Sequence, residues 1–520
     1  MYKEISLSLP PELLQESSEI EKRLAKATAV SANRIVYYKL LRRAVDARKS
    51  PVRFSLRYGV WIDEKPEQET AFTPVLQEVS NAEPVHIIGL GPAGLFAAIQ
   101  LIEKGLKPVI IERGKDVRAR RRDLATLNKD GIVNPESNYC FGEGGAGTFS
   151  DGKLYTRATK RGDTLTVLQL FHYFGASEEI LLDTHPHIGT NKLPQIIQNM
   201  REKIVECGGE ILFDTKLTGI FTQNQTITGI EVNGNEKMSV NALILATGHS
   251  ARDVFHLLHQ NKILIEAKPF ALGVRVEHPQ NIIDSIQYHC KTRHENLPAA
   301  SYNLVKQVQD KGVYSFCMCP GGIICPAATA DDLVVVNGWS PSKRNSPYAN
   351  SGIVVEIAVS DFTASANPSP LDGILYQEKV EKQAYLSGGG KQVAPAQRLA
   401  DFVNKKASSS LPSCSYLPGI SAVNMNEVLP SLVETRLREG FKLFGKMMKG
   451  YLTNEAVIVG VESRTSSPIR IPRENDTLMH VQIAGLFPCG EGAGYAGGIM
   501  SAAIDGMRCA LAAERFLGEG

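Results

Sequence analysis

A glycine motif near residue 90 constrains the fold of this chain more than any other feature of its sequence. Gly89-Leu90-Gly91-Pro92-Ala93-Gly94 follows the apolar residues 85–88 and opens residues 95–103, which have the apolar pattern of a buried helix. The first glycine allows a tight turn, the second lets backbone amides approach a pyrophosphate, and the third lets the helix pack on the strand. Glu112 ends the next predicted strand, where an acidic side chain accepts hydrogen bonds from ribose hydroxyls. This order predicts a dinucleotide-binding β–α–β unit, with a purely structural turn as the alternative.

A second glycine-rich turn near the C-terminus decides between the dinucleotides. Gly490-Glu491-Gly492 and Gly497-Gly498-Ile499 follow a short apolar strand and open a predicted helix over residues 499–516. Nicotinamide-dependent dehydrogenases do not usually need such an element. A flavoprotein does, because the acid can hold the ribityl chain while the helix N-terminus faces the flavin edge that becomes negative on reduction. With Thr247-Gly248 after the predicted strand 242–246, these residues predict FAD, bound noncovalently because the sequence has no recognised attachment motif.

The positions of these motifs divide the 520 residues into four segments. At about 100–200 residues per domain, a chain of this length is expected to form several domains. We predict a Rossmann-like α/β domain in two parts, residues 83–265 and 453–520, interrupted by an inserted α+β substrate domain at residues 266–452. Residues 1–75 are predicted to form a small α+β unit. Its strands are expected over residues 3–9 and 52–61, and its helices over residues 19–27 and 33–47.

Several motifs resemble those of a known class of flavoproteins. The first glycine turn, Glu112-Arg113-Gly114, Ala246-Thr247-Gly248 and Gly490-Glu491 resemble the glutathione-reductase-like flavoproteins with two dinucleotide-binding domains. Residues 141–154, 316–322 and 462–468 resemble a narrower bacterial family, the uncharacterised FAD-dependent dehydrogenases. The resemblance covers most of the chain, implies FAD and an oxidoreductase activity, and leaves the substrate open. In the wider class the acid of the second turn is often Asp, whereas this chain has Glu491.

The segment 142–154 is also predicted to contact the cofactor. Its backbone amides could form a nest around the pyrophosphate or beside the flavin ring, and a crossover loop without such contact is the alternative. The predicted contacts are Gly144, Gly145, Gly147, Ser150, Asp151, Gly152 and Lys153. Lys153 is in addition a candidate catalytic residue near flavin N5 or the N1/C2 region. Arg113 is a candidate contact to the FAD phosphates or adenine.

Three further residues are candidates for catalysis. Arg464 is predicted to face the substrate side of the flavin, where its guanidinium suits a carboxylate or a developing oxyanion, and an interdomain salt bridge is the alternative. Cys317 and Cys319 end an apolar strand, so alternation predicts that both sulfurs lie on one face. One or both thiols would then line the substrate cavity by the flavin, as nucleophile or redox partner. A role as small apolar core residues is the alternative.

Composition excludes several other classes of protein. Lys and Arg number 57 and Asp and Glu 55, so the net charge of +2 is too small to imply a polyanionic partner by itself. Nine cysteines lack the spacing of a disulfide framework, and the first residues lack the apolar core of a signal peptide, which together predict a cytoplasmic protein. Glycine and proline interrupt the membrane-like residues 85–102, so no membrane segment is expected. His185 and His187 lack a third ligand, and we predict no metal site.

These features favour an FAD-dependent oxidoreductase that transfers a hydride between an unidentified small organic substrate and flavin N5. The middle of the chain has no second dinucleotide motif, so NAD(P)H as a partner would need an irregular cleft. A flavin-containing RNA-modification or RNA-binding protein is the alternative, because basic residues concentrate in the N-terminal unit. They are Arg34, Lys39, Arg42, Arg43, Arg48, Lys49, Arg53 and Arg57, for which a solvated surface is the ordinary explanation. A flavin-binding scaffold without turnover is the third hypothesis.

Overall fold

The computed structural model describes residues 1–67, 71–156, 162–363 and 368–518, and five parallel strands form the sheet that carries both glycine turns. In their order across the sheet they are β22 (Leu486–Pro488), β10 (Leu243–Leu245), β4 (Pro84–Ile88), β5 (Lys107–Ile111) and β6 (Glu210–Leu212). Their apolar sequences suit a parallel sheet that is buried on both faces. The C-terminal strand β22 pairs with β10, so the chain returns to its first sheet, as the sequence predicts.

Helices and a small antiparallel sheet complete this α/β unit. The helices are α2 (Pro92–Glu103), α3 (Val117–Asp130), α4 (Thr164–Tyr173), α5 (Glu179–Leu182), α6 (Leu193–Glu206), α7 (Arg252–Gln260) and α12 (Ile499–Gly518). The small sheet consists of β7 (Leu217–Gln223), β8 (Thr226–Val232) and β9 (Glu236–Ser239). α2 packs against α12, and Gly506 permits this contact because a Cβ there would lie 2.0 Å from the Ala93 carbonyl oxygen. The two helices that start at the glycine turns therefore lie side by side.

A seven-stranded mixed sheet forms the centre of the inserted domain. In order it contains β13 (Val305–Val308), β14 (Lys311–Cys319), β17 (Tyr348–Ile357), β12 (Phe270–Pro279), β20 (Val457–Glu462), β18 (Ala394–Arg398) and β19 (Ile420–Ala422). Its helices are α8 (Gln280–Tyr288), α9 (Asp372–Gly388), α10 (Leu399–Val403) and α11 (Ser431–Met447). Two short sheets join β15 (Ile323–Pro326) to β16 (Val336–Trp339) and β11 (Glu266–Ala267) to β21 (Ile469–Arg470). Because β20 is bonded between β12 and β18, this domain extends past the boundary predicted at residue 452.

The N-terminal unit is a three-stranded antiparallel sheet with one α-helix. It contains β1 (Tyr2–Leu9), α1 (Ser17–Thr28), β2 (Ile35–Asp46) and β3 (Arg53–Ile62), with β3 in the centre. Both predicted strands and the first predicted helix are present. The prediction of a second helix over residues 33–47 is wrong, because this segment forms β2 and pairs with β3 along its length. Pairing with a neighbouring strand outweighs local helical tendency.

The N-terminal sheet and the inserted domain share one hydrophobic core. Phe54, Leu56 and Val60 of β3 belong to the same buried cluster as Phe270 and Val274 of β12. The edge strand β2 also contacts the α/β unit. Arg43 of β2 forms an ion pair with Asp183, with Nε 2.7 Å from Oδ1. Residues 1–62 therefore pack as part of a larger body. No helix in the described part of the chain combines the length and apolar content needed to span a bilayer.

Candidate cofactor and active site

A long cavity lies between the parallel sheet and the inserted domain. The turns after β4, β10 and β22 form one side of the cavity. β4 and β10 are neighbouring strands, and their connections run in opposite directions. The inserted domain contributes Phe316, Cys317 and Asn337 to the wall, and Arg464 and Thr465 follow β20. In open α/β sheets such a crevice at the carboxyl ends of the strands is where ligands bind. The fold thus places the predicted motifs around one binding site.

The structure brings almost all predicted cofactor contacts to this cavity. The residues that line it are Gly89, Gly91, Pro92, Ala93, Glu112, Arg113, Gly145, Gly147, Ser150, Asp151, Gly152, Lys153, Thr247, Gly248, Gly490, Glu491, Gly497, Gly498 and Ile499. Gly94 and Gly144 lie outside the lining. A Cβ on Gly94 would lie 2.0 Å from the Gly89 carbonyl oxygen, and one on Gly144 would lie 1.8 Å from Thr148 Oγ1. These two glycines serve the packing of the turns rather than the surface of the cavity.

Bare backbone at several glycines leaves room for a ligand. A Cβ built on Gly248, Gly497 or Gly498 would meet no atom within 4 Å. The backbones of Gly91 and Gly145 approach each other so closely that a Cβ on Gly145 would lie 3.0 Å from the Gly91 Cα. Side chains at these positions would fill the space along the turns, which fits a phosphate-bearing ligand that needs direct access to backbone amides.

The Glu112 end of the cavity is held by an acid and an arginine. The buried Glu112 carboxylate accepts hydrogen bonds from the amides of Leu90 at 2.8 Å, Gly114 at 2.8 Å and Gly142 at 3.0 Å. A carboxylate offers about four acceptor positions, so one remains for a ribose hydroxyl. Arg113 donates to Glu136 and Asp253 and lies 4.2 Å above the Phe141 ring. Its guanidinium is fixed, and a contact to FAD would use its remaining donors.

The other end carries Glu491 and a histidine that the sequence analysis missed. His249 Nε2 lies 4.0 Å from Glu491 Oε1, and its Nδ1 lies 3.0 Å from Ser250 Oγ. Burial, with the charges of Arg464 and Arg252, lowers the pKa of His249 to about 4, so the imidazole is neutral at pH 7. Burial raises the pKa of Glu491 to about 7, and the Lys268 ammonium opposes this shift. The signal for His249 was its position directly after Thr247-Gly248.

Lys153 joins the glycine segment to the two candidate cysteines. Its Nζ lies 3.6 Å from Cys317 Sγ, 3.5 Å from Cys319 Sγ and 3.3 Å from Asp151 Oδ2. Burial works against ionisation of both Lys153 and Asp151, but their mutual attraction raises the pKa of Lys153 and, with Arg344, lowers the pKa of Asp151. The side chain predicted to act at the flavin is therefore a fixed ammonium ion within the cavity wall.

The two cysteine sulfurs meet through an irregular strand. β14 shifts its register against β17 between Phe316 and Cys319, and Cys317 has a φ of 45°, in the left-handed region. Regular alternation therefore does not explain their proximity. Cys317 is partly exposed and lines the cavity, whereas Cys319 is fully buried beside it. Of the two thiols predicted to line the cavity, one or both, Cys317 lines it and Cys319 does not.

Arg464 lines the cavity and also forms the predicted salt bridge. Its Nη2 and Nε donate to the two carboxylate oxygens of Glu381 at 2.8 and 3.1 Å, and Nη1 donates to Thr329 Oγ1 at 2.9 Å. Glu381, on α9, also accepts two hydrogen bonds from Arg252 of the α/β unit. Arg464 is thus part of an ion cluster that joins the inserted domain to the cofactor cavity.

A smaller side pocket branches from the main cavity behind these residues. It is lined by Tyr139, Phe149, Cys325, Val335 and Val336, and it shares Cys140, Ser150, His249, Asn337 and Arg464 with the main cavity. Its volume of about 40 Å³ holds about three water-sized groups. The combination of apolar walls and a polar entrance suits a small organic group.

Comparisons with known proteins identify the family. A family model described as FAD-dependent protein, C-terminal domain-like, matches residues 269–465, and a model for a domain of unknown function matches residues 1–61. A protein of Clostridium beijerinckii, described as uncharacterised, is 39% identical over 526 residues, and the alignment covers 97% of each chain. The chain belongs to this family of FAD-dependent proteins. FAD is its cofactor, and the glycine-lined cavity fits that group.

Two solved structures are similar to this FAD-dependent protein at low levels. A geranylgeranyl bacteriochlorophyll reductase-like protein from Thermoplasma acidophilum has a TM-score of 0.35 at 12% identity, covering 84% of this chain and 80% of its own. L-proline dehydrogenase from P. horikoshii has a TM-score of 0.32 at 12% identity, covering 84% and 94%. At these levels the site geometry, rather than the likeness, carries the functional argument. Electron exchange between a bound flavin and its partners is the chemistry of flavin-dependent oxidoreductases.

Proposed function

We propose that this flavoprotein transfers a hydride between a small organic substrate and the N5 atom of FAD. The observation that carries the proposal is the side pocket, which opens from the cofactor cavity at His249, Asn337 and Arg464. A substrate group there would border the cavity at the end that carries Glu491. When bound, FAD supplies the hydride-accepting or hydride-donating centre, and the protein supplies orientation, charge and exclusion of water.

The cofactor would be held along the length of the cavity. Glu112 would bind the adenosine ribose, and the bare backbones at Gly91, Gly145 and Gly147 would contact the pyrophosphate. Glu491 would bind the ribityl chain, while the N-terminus of α12 would face the pyrimidine edge of the flavin and stabilise negative charge there. All of these residues line the cavity, which supports the assignments.

Residues at the inserted-domain side would position the substrate. The Lys153 ammonium would stabilise negative charge on a substrate oxygen, and the neutral His249 imidazole could accept or donate a proton at Nε2. We assign Arg464 a positioning role, because its ion pair with Glu381 fixes the wall of the side pocket. Cys317 faces the cavity as a further candidate for contact with substrate.

Anaerobic reduction of the purified holoprotein tests this proposal. The protein would be mixed with NADH, with NADPH and with panels of small alcohols, amines and acids, and the loss of flavin absorbance would be followed. Saturable bleaching by an organic compound supports hydride transfer, and bleaching by a nicotinamide identifies NAD(P)H as a partner. The scaffold hypothesis replaces the proposal if two results are found together. None of the compounds reduces the oxidised flavin, and no acceptor compound reoxidises the photoreduced flavin. As the nine cysteines are all free thiols, the assays would be run under the reducing conditions of the proposed cytoplasmic location.

A second candidate function rests on the outward face of the N-terminal sheet. The Trp61 ring lies 4.8 Å from that of Tyr2 and 5.4 Å from that of Tyr37. The register of β2 and β3 places Arg42 on the same face. Aromatic rings beside basic side chains on a sheet are a platform on which single-stranded bases stack. This arrangement favours RNA binding, as the alternative from sequence predicts.

Ion pairs reduce the charge that this surface offers to phosphates. Arg34, Arg43, Arg48 and Arg57 are paired with carboxylates. Titration of a labelled single-stranded RNA at several salt concentrations tests the candidate, since phosphate contacts give a steep negative salt slope. Trp61→Ala should weaken binding by about 1–3 kcal/mol, the usual value for one stacked base, whereas Tyr173→Ala on α4 should not. Binding that is absent, or equal in both variants, excludes this function.

A further inference from the structure

The site contains a cysteine whose surroundings are those of an ionised thiol. Cys317 is partly exposed in the cofactor cavity, in a bulge of β14 that interrupts its regular pairing with β17. Cys140 also lines this cavity but lies elsewhere on the wall, beside Ser250. The two thiols therefore share access to small molecules, and they differ in the charges around them.

A cation contacts the Cys317 sulfur directly. Lys153 Nζ lies 3.6 Å from Cys317 Sγ, and Arg275 Nη2 donates to the Cys317 carbonyl oxygen at 2.6 Å. Arg344 belongs to the same group, 2.8 Å from Asp151. The carboxylates of the group are Asp151, Glu462, which lies 2.6 Å from Arg275 Nη1, and Glu491, which also lines the cavity. The contact with the Lys153 ammonium, rather than an excess of positive charge, favours an ionised thiol.

The Cys319 thiol also favours an ionised Cys317. Cys319 Sγ lies 3.2 Å from the Cys317 carbonyl oxygen and 3.6 Å from Arg275 Nη2, and it is fully buried. A hydrogen bond from the Cys319 thiol, and then the charges of Lys153 and Arg275, hold the pKa of Cys317 well below its usual range, although burial opposes this. Burial keeps the pKa of Cys319 high, so Cys319 retains the proton that it donates.

We infer that Cys317 is a nucleophilic thiolate that bonds covalently to the electrophilic carbon of a small carbonyl compound, such as an aldehyde, in this cavity. The sulfur donates an electron pair to the carbonyl carbon and forms the S–C bond, while the C=O π pair moves to oxygen. That oxygen takes a proton from the Lys153 ammonium, which becomes the neutral amine. The product is a hemithioacetal. The inference deepens the proposed function by naming its substrate class, and it rests on the same cavity as the substrate site.

The position of Cys319 favours this chemistry over a disulfide. A disulfide between residues separated by one position is strained, and Cys319 does not reach the cavity where a disulfide substrate would have to bind. Its thiol is instead engaged with the carbonyl and sulfur of Cys317. Cys319 therefore acts on substrate through the state of Cys317.

Alkylation of the FAD-bound protein by iodoacetamide tests the inference without using enzyme activity. The rate at each cysteine would be mapped by mass spectrometry between pH 5 and 9. We expect Cys317 to react at a rate that is already constant near pH 7. Saturating propanal should slow labelling of Cys317 at least about fivefold and leave Cys140 unchanged.

Variants separate the charge effect from folding. Lys153→Met should slow labelling of Cys317 at pH 6.5 about tenfold or more, since a thiol with the ordinary cysteine pKa of about 8.5 is only about 1% ionised at that pH. Lys153→Arg should retain fast labelling, and Lys216→Met, which changes a cavity lysine paired with Glu136 and Asp253, should have no effect. Unchanged labelling in Lys153→Met, no protection by propanal, or a Cys317–Cys319 disulfide formed by diamide would overturn the inference. Flavin reduction by substrates is measured separately, so the proposed function can fail while this result stands.

Discussion

The Glu112 carboxylate accepts hydrogen bonds from three backbone amides, so the residue predicted to bind ribose also holds the surrounding turns together. One of these amides, that of Leu90, lies within the first glycine turn. Another, that of Gly142, begins the glycine segment that contributes Lys153. A single side chain therefore couples the predicted ribose contact to the shape of the two backbone segments that line the cavity.

Glu112→Ala is expected to weaken FAD binding strongly. Loss of a charge-assisted hydrogen bond to ribose costs about 1.5–3 kcal/mol, or a rise in Kd of about 10-fold to 150-fold. The unpaired amides should also lower the thermal midpoint of the FAD-free protein. Fluorescence titration with FAD and thermal unfolding of the apoprotein measure the two effects, with Glu112→Gln, which keeps acceptor oxygen, as the milder control. An unaltered Kd in the alanine variant would remove Glu112 from the cofactor contacts.

Glu381 also connects two parts of the structure, in this case through ion pairs. It is fully buried between Arg252 of the α/β unit and Arg464 at the edge of the side pocket. Burial alone would raise its pKa, but the two guanidinium groups dominate and lower the pKa of Glu381 to about 2. Its folded pKa is below the unfolded value, so its contribution to stability is present above about pH 4.5 and is lost as the pH falls toward 2.

We expect Glu381→Gln to reduce stability at pH 7 and to flatten the acid dependence. A depression of this size corresponds to about 3 kcal/mol of stability at neutral pH. Urea unfolding of both proteins between pH 7 and pH 3 gives the comparison, and the difference between them should shrink as the pH falls below about 4.5. A difference that stays constant over this range would show that Glu381 is not ionised in the native state.

The glycines of the two turns have different structural roles. Gly94 lies in the first turn of α2, where a Cβ would overlap the Gly89 carbonyl oxygen. Gly497 lies two residues before α12, where a Cβ would meet no atom within 4 Å. The first glycine is required by the contact of helix and turn within the protein, and the second leaves space for a ligand.

Alanine substitution should separate these duties. Gly94→Ala is expected to destabilise the FAD-free protein and to impair FAD binding, because the turn must move to admit the methyl group. Gly497→Ala should leave the apoprotein midpoint within about 0.5 kcal/mol, as for an unstrained surface change, yet weaken FAD binding at least about fivefold. Thermal unfolding without FAD and titration with FAD provide both readings. Equal loss of apoprotein stability in the two variants would contradict this assignment.

At the scale of the whole molecule, the N-terminal sheet and the inserted domain form one core. Trp61 belongs to β3 and Trp339 to β16, and the chain has 2 tryptophans in all. The buried face of β3 joins the same cluster as the seven-stranded sheet. Since a shared core is lost as a unit, both regions should unfold together.

Single-tryptophan variants test this coupling. Trp61→Phe leaves Trp339 as the fluorescent reporter in the inserted domain, and Trp339→Phe leaves Trp61 in the N-terminal unit. In urea, each variant should show a fluorescence midpoint that coincides with its own midpoint by circular dichroism. An earlier fluorescence transition at Trp61 would mean that residues 1–62 unfold as an independent domain.

The motifs that predict the cofactor site can be recognised in the sequence alone, because they follow local rules. A tight turn, a close backbone approach and a helix N-terminus each require particular residues at fixed spacing, and these are visible without tertiary contacts. The return of the C-terminus to the first sheet followed from the same rules. Nearly every residue predicted to contact FAD consequently lines one cavity.

The strand pairing of β2 and β20 and the contacts of Cys317 and Arg464 depend on segments that are distant in the sequence. β2 is a strand because β3 pairs with it, and the inserted domain continues to β20 because β12 and β18 need that strand between them. The state of Cys317 depends on Lys153, which is far away in sequence, and on a bulge that no alternation rule predicts. Arg464 is held by Glu381, 83 residues earlier. Burial and charge at these positions arise only when separate segments meet. Local sequence patterns therefore predict the cofactor motifs, whereas the environments of Cys317 and Arg464 become visible only in the folded protein.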